Sequence, residues 1–182
     1  ENTYDGDAGL KVNLLDRIII AIKEKDAKLA FSGNVTSESR IIPNRNIIQR
    51  AKTIMPYLTY DNDPYMIITN EGKLVWVLDA YTTSNEYPYS QRTILENNGI
   101  IKKEINYIRN SVKVIIDAYS GDVTFYRTDK TDPIANSYKN MYPDLFSDEE
   151  IPEDISCHFV YPKYLYKIQS EILERYHNIQ SD

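Results

Sequence analysis

The chain has 182 residues, with 27 acidic against 21 basic side chains and a formal charge of −6. Hydrophobic residues make up 42% and charged residues 26%, which excludes a collagen-like or disordered class. The longest unbroken apolar run, Ile18 to Ile22, falls far short of the ~20 residues that cross a bilayer, and the net charge, without any Lys/Arg run, argues against nucleic acid as a partner.

In chain order, residues 9–30 read as a helix. Leu10, Leu14, Ile18 and Ile22 fall four apart, Leu15 and Ile19 widen the stripe, and Gly33 is the expected stop. Pro43 is expected to open a second helix that ends near Met55, because Pro56 follows. The apolar period then changes to two. Tyr65–Thr69 and Leu74–Tyr81, joined by Asn70-Glu71-Gly72, predict a β-hairpin. Residues 82–104 read as a long connection. Val112–Tyr119 and Val123–Tyr126, joined through Ser120-Gly121-Asp122, predict a second hairpin. Asp132-Pro133 is an N-cap followed by a good first helical residue, so 133–142 is expected to be helical. An acidic stretch follows, and Pro162 opens a last amphipathic helix over 162–177.

The expected fold is therefore α+β: an antiparallel sheet of about four strands, two hairpins, packed against flanking amphipathic helices. One domain over 1–182 is expected, with 1–56 helical, 57–130 carrying the hairpins and 131–182 helical. Val75–Tyr81 and Val112–Tyr119 both end in Asp-Ala-Tyr, which suggests a duplicated hairpin with Asp79 and Asp117 closing equivalent strands.

Signals for chemistry are sparse. Cys157 is the only cysteine, and its neighbour His158 points the other way on an extended chain, so they make a poor nucleophile–base pair. Cys157 and two histidines are too few for a zinc site. Asp144, Asp148, Glu149, Glu150, Glu153 and Asp154 lack calcium-loop spacing and read as a solvated loop. With six glycines and no Gly-rich phosphate loop, neither a cofactor nor a metal is expected. Asn34-Val35-Thr36 fits a glycosylation acceptor.

The densest polar–aromatic region runs from Tyr57 to Arg92. Tyrosine joins a large apolar face to a hydroxyl, and clusters of it serve recognition surfaces. The candidate ligand- or partner-binding residues are Asp61, Asp63, Asp79, Tyr81, Tyr87, Tyr89, Arg92, Arg109 and Asp117. The two arginines are expected to keep the aspartates ionised. An alternative use of paired aspartates is acid/base chemistry.

The strings TYDNDPYMII (59–68), WVLDAYTTSNEYPYSQ (76–91), INYIRNSVKVIIDAYSGDVTFY (105–126), DPIANSYKNMYPDLF (132–146) and HFVYPKYLYKIQSEILERYH (158–177) resemble Uncharacterised Protein Family 0182. That resemblance implies a bacterial or cyanobacterial multi-pass membrane protein, of which this chain would be a soluble extracytoplasmic part. No activity, cofactor or catalytic residue comes with it. The expected partners are the rest of the parent membrane protein and an envelope peptide or glycan, with no membrane insertion by this segment itself. A chain that opens on Glu1, without spanning segments, is expected to be a piece of something longer. Asp117–Val123 also resembles the hairpin of PepSY-type modules, which suggests modulation of a peptidase as a further alternative.

Overall fold

Leu74–Ser84 and Tyr107–Asp117, each eleven residues long, lie antiparallel at the centre of the protein. The structure, a computed structural model, describes residues 8–33, 39–42, 44–97 and 101–177, with side chains described for all of these except 95–97 and 101–103. In chain order the elements are β1 (Leu10–Lys11), α1 (Leu14–Glu24), α2 (Ala27–Phe31), β2 (Arg40–Ile41), α3 (Ile47–Ile54), β3 (Thr59–Tyr60), β4 (Tyr65–Ile68), β5 (Leu74–Ser84), β6 (Thr93–Asn97), β7 (Ile101–Ile105), β8 (Tyr107–Asp117), β9 (Val123–Arg127), α4 (Pro133–Met141), α5 (Glu153–Ser156) and α6 (Lys163–His177). The fold is α+β, as expected.

The main sheet runs β3-β5-β8-β9, and β4 pairs with β5 along the same edge as β3. All its pairings are antiparallel. Both predicted hairpins are present, β4–β5 and β8–β9. The suggested duplication is not. The Asp-Ala-Tyr echo joins the second strand of one hairpin to the first strand of the other. The two strands run in opposite directions, with Leu78 opposite Val114 and Val75 opposite Asp117. Likeness of composition, which buried neighbouring strands share, accounts for the echo.

Alternation along β5 and β8 builds a core on each face. On one face Leu78, Ala80, Val112, Val114 and Ile116 pack with Phe125 and Phe146 against Ala51 of α3 and Met55 at its C-terminal end, with Tyr138 of α4 alongside. On the other, Val75, Val77 and Ile115 pack with Ile67 and with Ile155 of α5. Each large apolar side chain so buried contributes roughly 1.5–3 kcal/mol. Tyr60, itself buried, donates its hydroxyl to the carbonyls of Ala51 (3.1 Å) and Met55 (2.7 Å), which terminate α3. Burial pushes this phenol's pKa well up. Arg50 of α3 reaches the β8–β9 turn and donates to the Gly121 carbonyl at 2.5 Å. Gly121 has φ +75, and a Cβ there would overlap the guanidinium.

Three expectations are corrected. The helix over 9–30 is three pieces. Leu10–Lys11 pairs with Arg40–Ile41, and α1 stops at Lys25, whose left-handed backbone (φ 56) turns its N–H back to Ala21 and Ile22. Asp26 then caps α2 by accepting from Lys28 N at 2.9 Å. Residues 82–104 are not an open connection: β5 continues to Ser84, and β6 pairs with β7 from Thr93 opposite Ile105 to Asn97 opposite Ile101. That ribbon lacks clean apolar alternation, so no period announced it. The second helix begins at Ile47, where the Asn46 side chain accepts from Gln49 N. Pro43 and the Asn34-Val35-Thr36 acceptor lie outside the described residues.

Candidate functional site

A break in the central ladder organises the polar residues. β5 pairs with β8 through Ala80 opposite Val112, and then through Thr82 opposite Arg109. Tyr81 alone therefore faces both Asn110 and Ser111, a two-against-one β-bulge. The extra residue turns consecutive side chains of β8 apart, and each of the two meets a different buried aspartate.

On the face that carries Val75 and Val77, Asp79 accepts from Asn110 Nδ2 at 2.8 Å and forms a buried ion pair with Lys113. The Lys113 ammonium also sits 4.7 Å from the centre of the Phe159 ring. Beside this pair the Tyr81 hydroxyl donates to Asp61 at 2.6 Å. Asp61 occupies the break between β3 and β4, where it also accepts from the backbone N–H groups of Asn62 (2.6 Å) and Asp63 (3.2 Å). Burial, reinforced by the Asp61 hydrogen bond, pushes the Tyr81 phenol pKa far up. Tyr164 of α6 packs on Tyr81 with ring centres 5.7 Å apart.

On the other side of the bulge, Asp132 is fully buried at the N-terminus of α4. Its carboxylate accepts from the Thr82 and Ser111 hydroxyls, from the Tyr107 hydroxyl at 2.9 Å and from Ile134 N at 2.9 Å. Burial alone would raise its pKa. The hydroxyls of Ser111 and Thr82, Ile134 N–H and the Tyr107 hydroxyl outweigh burial and hold it below the ordinary 3.8. Reciprocally, burial and the bond to Asp132 push Tyr107 up to about 12.

Tyr107 leads outward to an exposed rim. Its ring stacks on Tyr87 at 5.3 Å, and the Arg109 guanidinium lies 5.9 Å from it. The Asn106 side chain ties down the loop from Ser84 to Arg92. Asn106 accepts from Tyr87 N at 3.0 Å and donates to the carbonyls of Tyr87 (2.8 Å) and Ser90 (3.3 Å). Ser90 Oγ donates back to the Asn106 carbonyl at 3.0 Å. At the tip, Pro88-Tyr89 turns with Tyr89 at φ 60, a left-handed backbone that bulky residues rarely adopt, and its ring is wholly exposed.

The nine candidate residues therefore divide. Asp61, Asp79 and Tyr81 share one buried cluster. Tyr87, Tyr89 and Arg109 lie at the rim with Arg92, which pairs with Glu104 at 3.7 Å. Asp63 is exposed and pairs with Lys163 at 2.5 Å. Asp117 closes the β8–β9 turn by accepting from Tyr119 N and Ser120 N. Two expectations fail here. Asp79 does not end a strand; it lies inside β5, opposite Lys113. Neither arginine pairs with the four aspartates: Arg92 meets Glu104, and Arg109 meets Asp129 at 3.0 Å.

Asn106, Tyr107, Lys113 and Asp132 were not among the candidates. Lys113 had a signal, a lone base inside the apolar run Val112–Ile116. Asp132 reads in the sequence only as a helix cap. Among the described residues, no group of three or more His, Cys, Asp and Glu side chains is placed to hold a metal ion. Cys157 is exposed, with its thiol directed at the Asp154 carbonyl. No helix among the described residues is long and apolar enough to cross a membrane.

Comparison with known proteins bears on all of this. A protein of Clostridium tetani is 54% identical over 175 residues, covering 96% of this chain and 19% of its own length. One from Caldicellulosiruptor saccharolyticus is 49% identical over 174 residues, covering 96% and 18%. One from Clostridium acetobutylicum is 50% identical over 177 residues, covering 97% and 18%. Each is called a UPF0182 protein, and the chain spans about a fifth of the length of these curated relatives. No solved structure matches. The profile of the Uncharacterised protein family (UPF0182) matches residues 1–182 throughout, and with the bacterial relatives at about half identity it shows that this chain belongs to that family.

Proposed function

We propose that this chain is a non-enzymatic, extracytoplasmic binding part of a bacterial integral membrane protein, and that the loop displaying Tyr89 is where a partner docks. The observation that carries the reading is the loop's construction. The Asn106 side chain grips both Tyr87 and Ser90, so the loop is held before any partner arrives. A bulky ring is then presented outward from a left-handed backbone, a conformation that costs about 1–3 kcal/mol and accumulates at ligand clamps. Tyrosine suits such a place because it offers much contact area for the loss of only two side-chain torsions. At the base of the loop Tyr87 and Tyr107 supply stacked faces and Arg109 a guanidinium, and Arg92 follows the loop in the chain, chemistry suited to an envelope peptide or a glycan.

The buried carboxylates favour binding over acid/base chemistry. Asp61 and Asp79 are neighbours, but fixed donors already occupy them: the Tyr81 hydroxyl and two backbone N–H groups on Asp61, Lys113 and Asn110 on Asp79.

Titration of the protein with soluble cell-wall peptides and glycan fragments tests the reading. Tyr89→Gly removes the ring while easing the backbone, so unfolding is not the cause of any loss. The expected result is at least a tenfold weaker association for Tyr89→Gly, with a further loss for Arg92→Ala, since few residues carry most of an interface's energy. Unchanged affinity in both variants would sink the proposal.

A further inference from the structure

The apolar stripe of α1 faces away from the protein. Leu15 is 73% exposed, Ile19 64% and Ile22 72%, and Leu14 and Ile18 are exposed beside them. The side of α1 turned inward carries Ala21, which is buried, and Arg17, which donates to the carbonyls of Leu29 (3.4 Å) and Ser32 (2.8 Å). On α2, Phe31 is 87% exposed. Five bulky aliphatic side chains on an eleven-residue helix form a contiguous outward patch of the kind that marks an interaction surface. Next to it lies an open pocket of about 710 Å³, lined half by aliphatic side chains such as Leu10, Ile20 and Ile41 and half by polar or charged ones, Lys23, Glu24 and Arg45 among them. It is open to solvent, a recess beside the patch into which a covering segment can set side chains.

We infer that the outer face of α1 and α2, with the adjoining recess, is a seam on which another part of the same polypeptide packs: an apolar segment with an acidic margin. The occupant follows from two observations. The family relatives are about five times as long as this chain, and a protein of their length has ample further sequence to supply the cover. The segment that carries the seam also has the opposite charge from the rest. Residues 8–33 contain five bases (Lys11, Arg17, Lys23, Lys25, Lys28) and three acids (Asp16, Glu24, Asp26), a net charge of +2 in a chain of −6. The recess favours a protein segment over a flat lipid surface as occupant, because matching its mixed lining takes shaped side chains. The seam does not involve the Tyr89 loop, so the two proposals stand or fall separately.

Cysteine labelling tests it. Leu15→Cys and Ile19→Cys are introduced into this chain and into the protein extended to the length of its relatives, each with Cys157→Ser. Maleimide labelling of each new cysteine is followed by mass spectrometry and referred to the urea-unfolded protein. Labelling at least tenfold slower in the extended protein than in this chain is expected. Ile19→Asp gives a second readout, lowering the melting temperature of the extended protein and leaving that of this chain unchanged. Equal labelling in both lengths overturns the seam. Protection of the extended protein that disappears when detergent replaces lipid overturns it in favour of a bilayer. Protection of this chain that rises with its own concentration overturns it in favour of a second copy.

Discussion

Two aspartates flank the same bulge, yet they are stabilised in different ways. Asp79 is matched by one opposite charge, the Lys113 ammonium, with the Asn110 amide beside it. Among the described residues no ion pair reaches the Asp132 carboxylate; four neutral donors, three hydroxyls and one backbone N–H, carry its charge. The ion pair resists loss of either partner, because the survivor would be a bare charge in a dry interior. The hydroxyl knot spreads the same task over four groups on β5, β8 and α4, and so ties the sheet to the helix. A folded chain can thus bury a carboxylate through one strong partner or several weak ones, and the consequences for mutation differ.

The largest effect is expected where the pair is broken. Lys113→Met leaves Asp79 buried and uncompensated and should lower the free energy of urea unfolding by about 3–5 kcal/mol. Removing both charges together, Asp79→Leu with Lys113→Met, should recover most of that loss, because desolvation no longer opposes folding. A double variant as unstable as the single one would show that the pair is not the local stabiliser described. Asp132→Ala should cost roughly 3 kcal/mol, from an N-cap lost and two buried hydroxyls orphaned. No second change is expected to rescue it cheaply, which is the contrast with Asp79.

Acid should separate the knots further. The folded pKa of Asp132 lies below 3.8, so the unfolded chain takes up the proton first. Its contribution is full above that value and disappears as pH falls through the lower folded value. Asp132→Ala should therefore flatten the acid limb of a stability-against-pH profile; an unchanged limb would contradict the four-donor knot. At the alkaline end the sign reverses. Tyr107 is held up to about 12 against an ordinary 10.0, so its contribution is complete below pH 10.0 and fades as pH rises through the folded value. Tyr107→Phe should soften that loss, which ultraviolet titration of phenolate would follow. The smallest effect belongs to Tyr89→Gly, which should alter unfolding free energy by no more than about 1 kcal/mol, and toward stability if the left-handed backbone is strained as its φ indicates. A large destabilisation there would mean that the ring packs in the fold and is not displayed for a partner.

Much of the scaffold was legible. The change of period from four to two after Met55 marked the passage from helices to hairpins, and Asp132-Pro133 marked the start of α4, because caps and alternation are local physics. The β6–β7 ribbon was missed because its sequence carries no clean alternation. The break of α1 at Lys25 was missed because a lysine in left-handed backbone has no sequence signature. At the candidate site, composition singled out one stretch but merged two populations. Tyr81 and Tyr89 read alike in the sequence, yet one phenol is buried on Asp61 and the other stands wholly in solvent.

The sequence by itself determined the α+β class, the two hairpins, the bounding helices and membership of a family, since each of these rests on short-range pattern or on direct likeness of residues. Only the tertiary structure decided that Asp79 meets Lys113, that Asp132 gathers hydroxyls from two strands, and that the stripe of α1 looks outward. A strand's partner, and the place of one extra residue in the ladder, are set by contacts between residues dozens of positions apart. A one-residue shift there reverses which face each side chain serves.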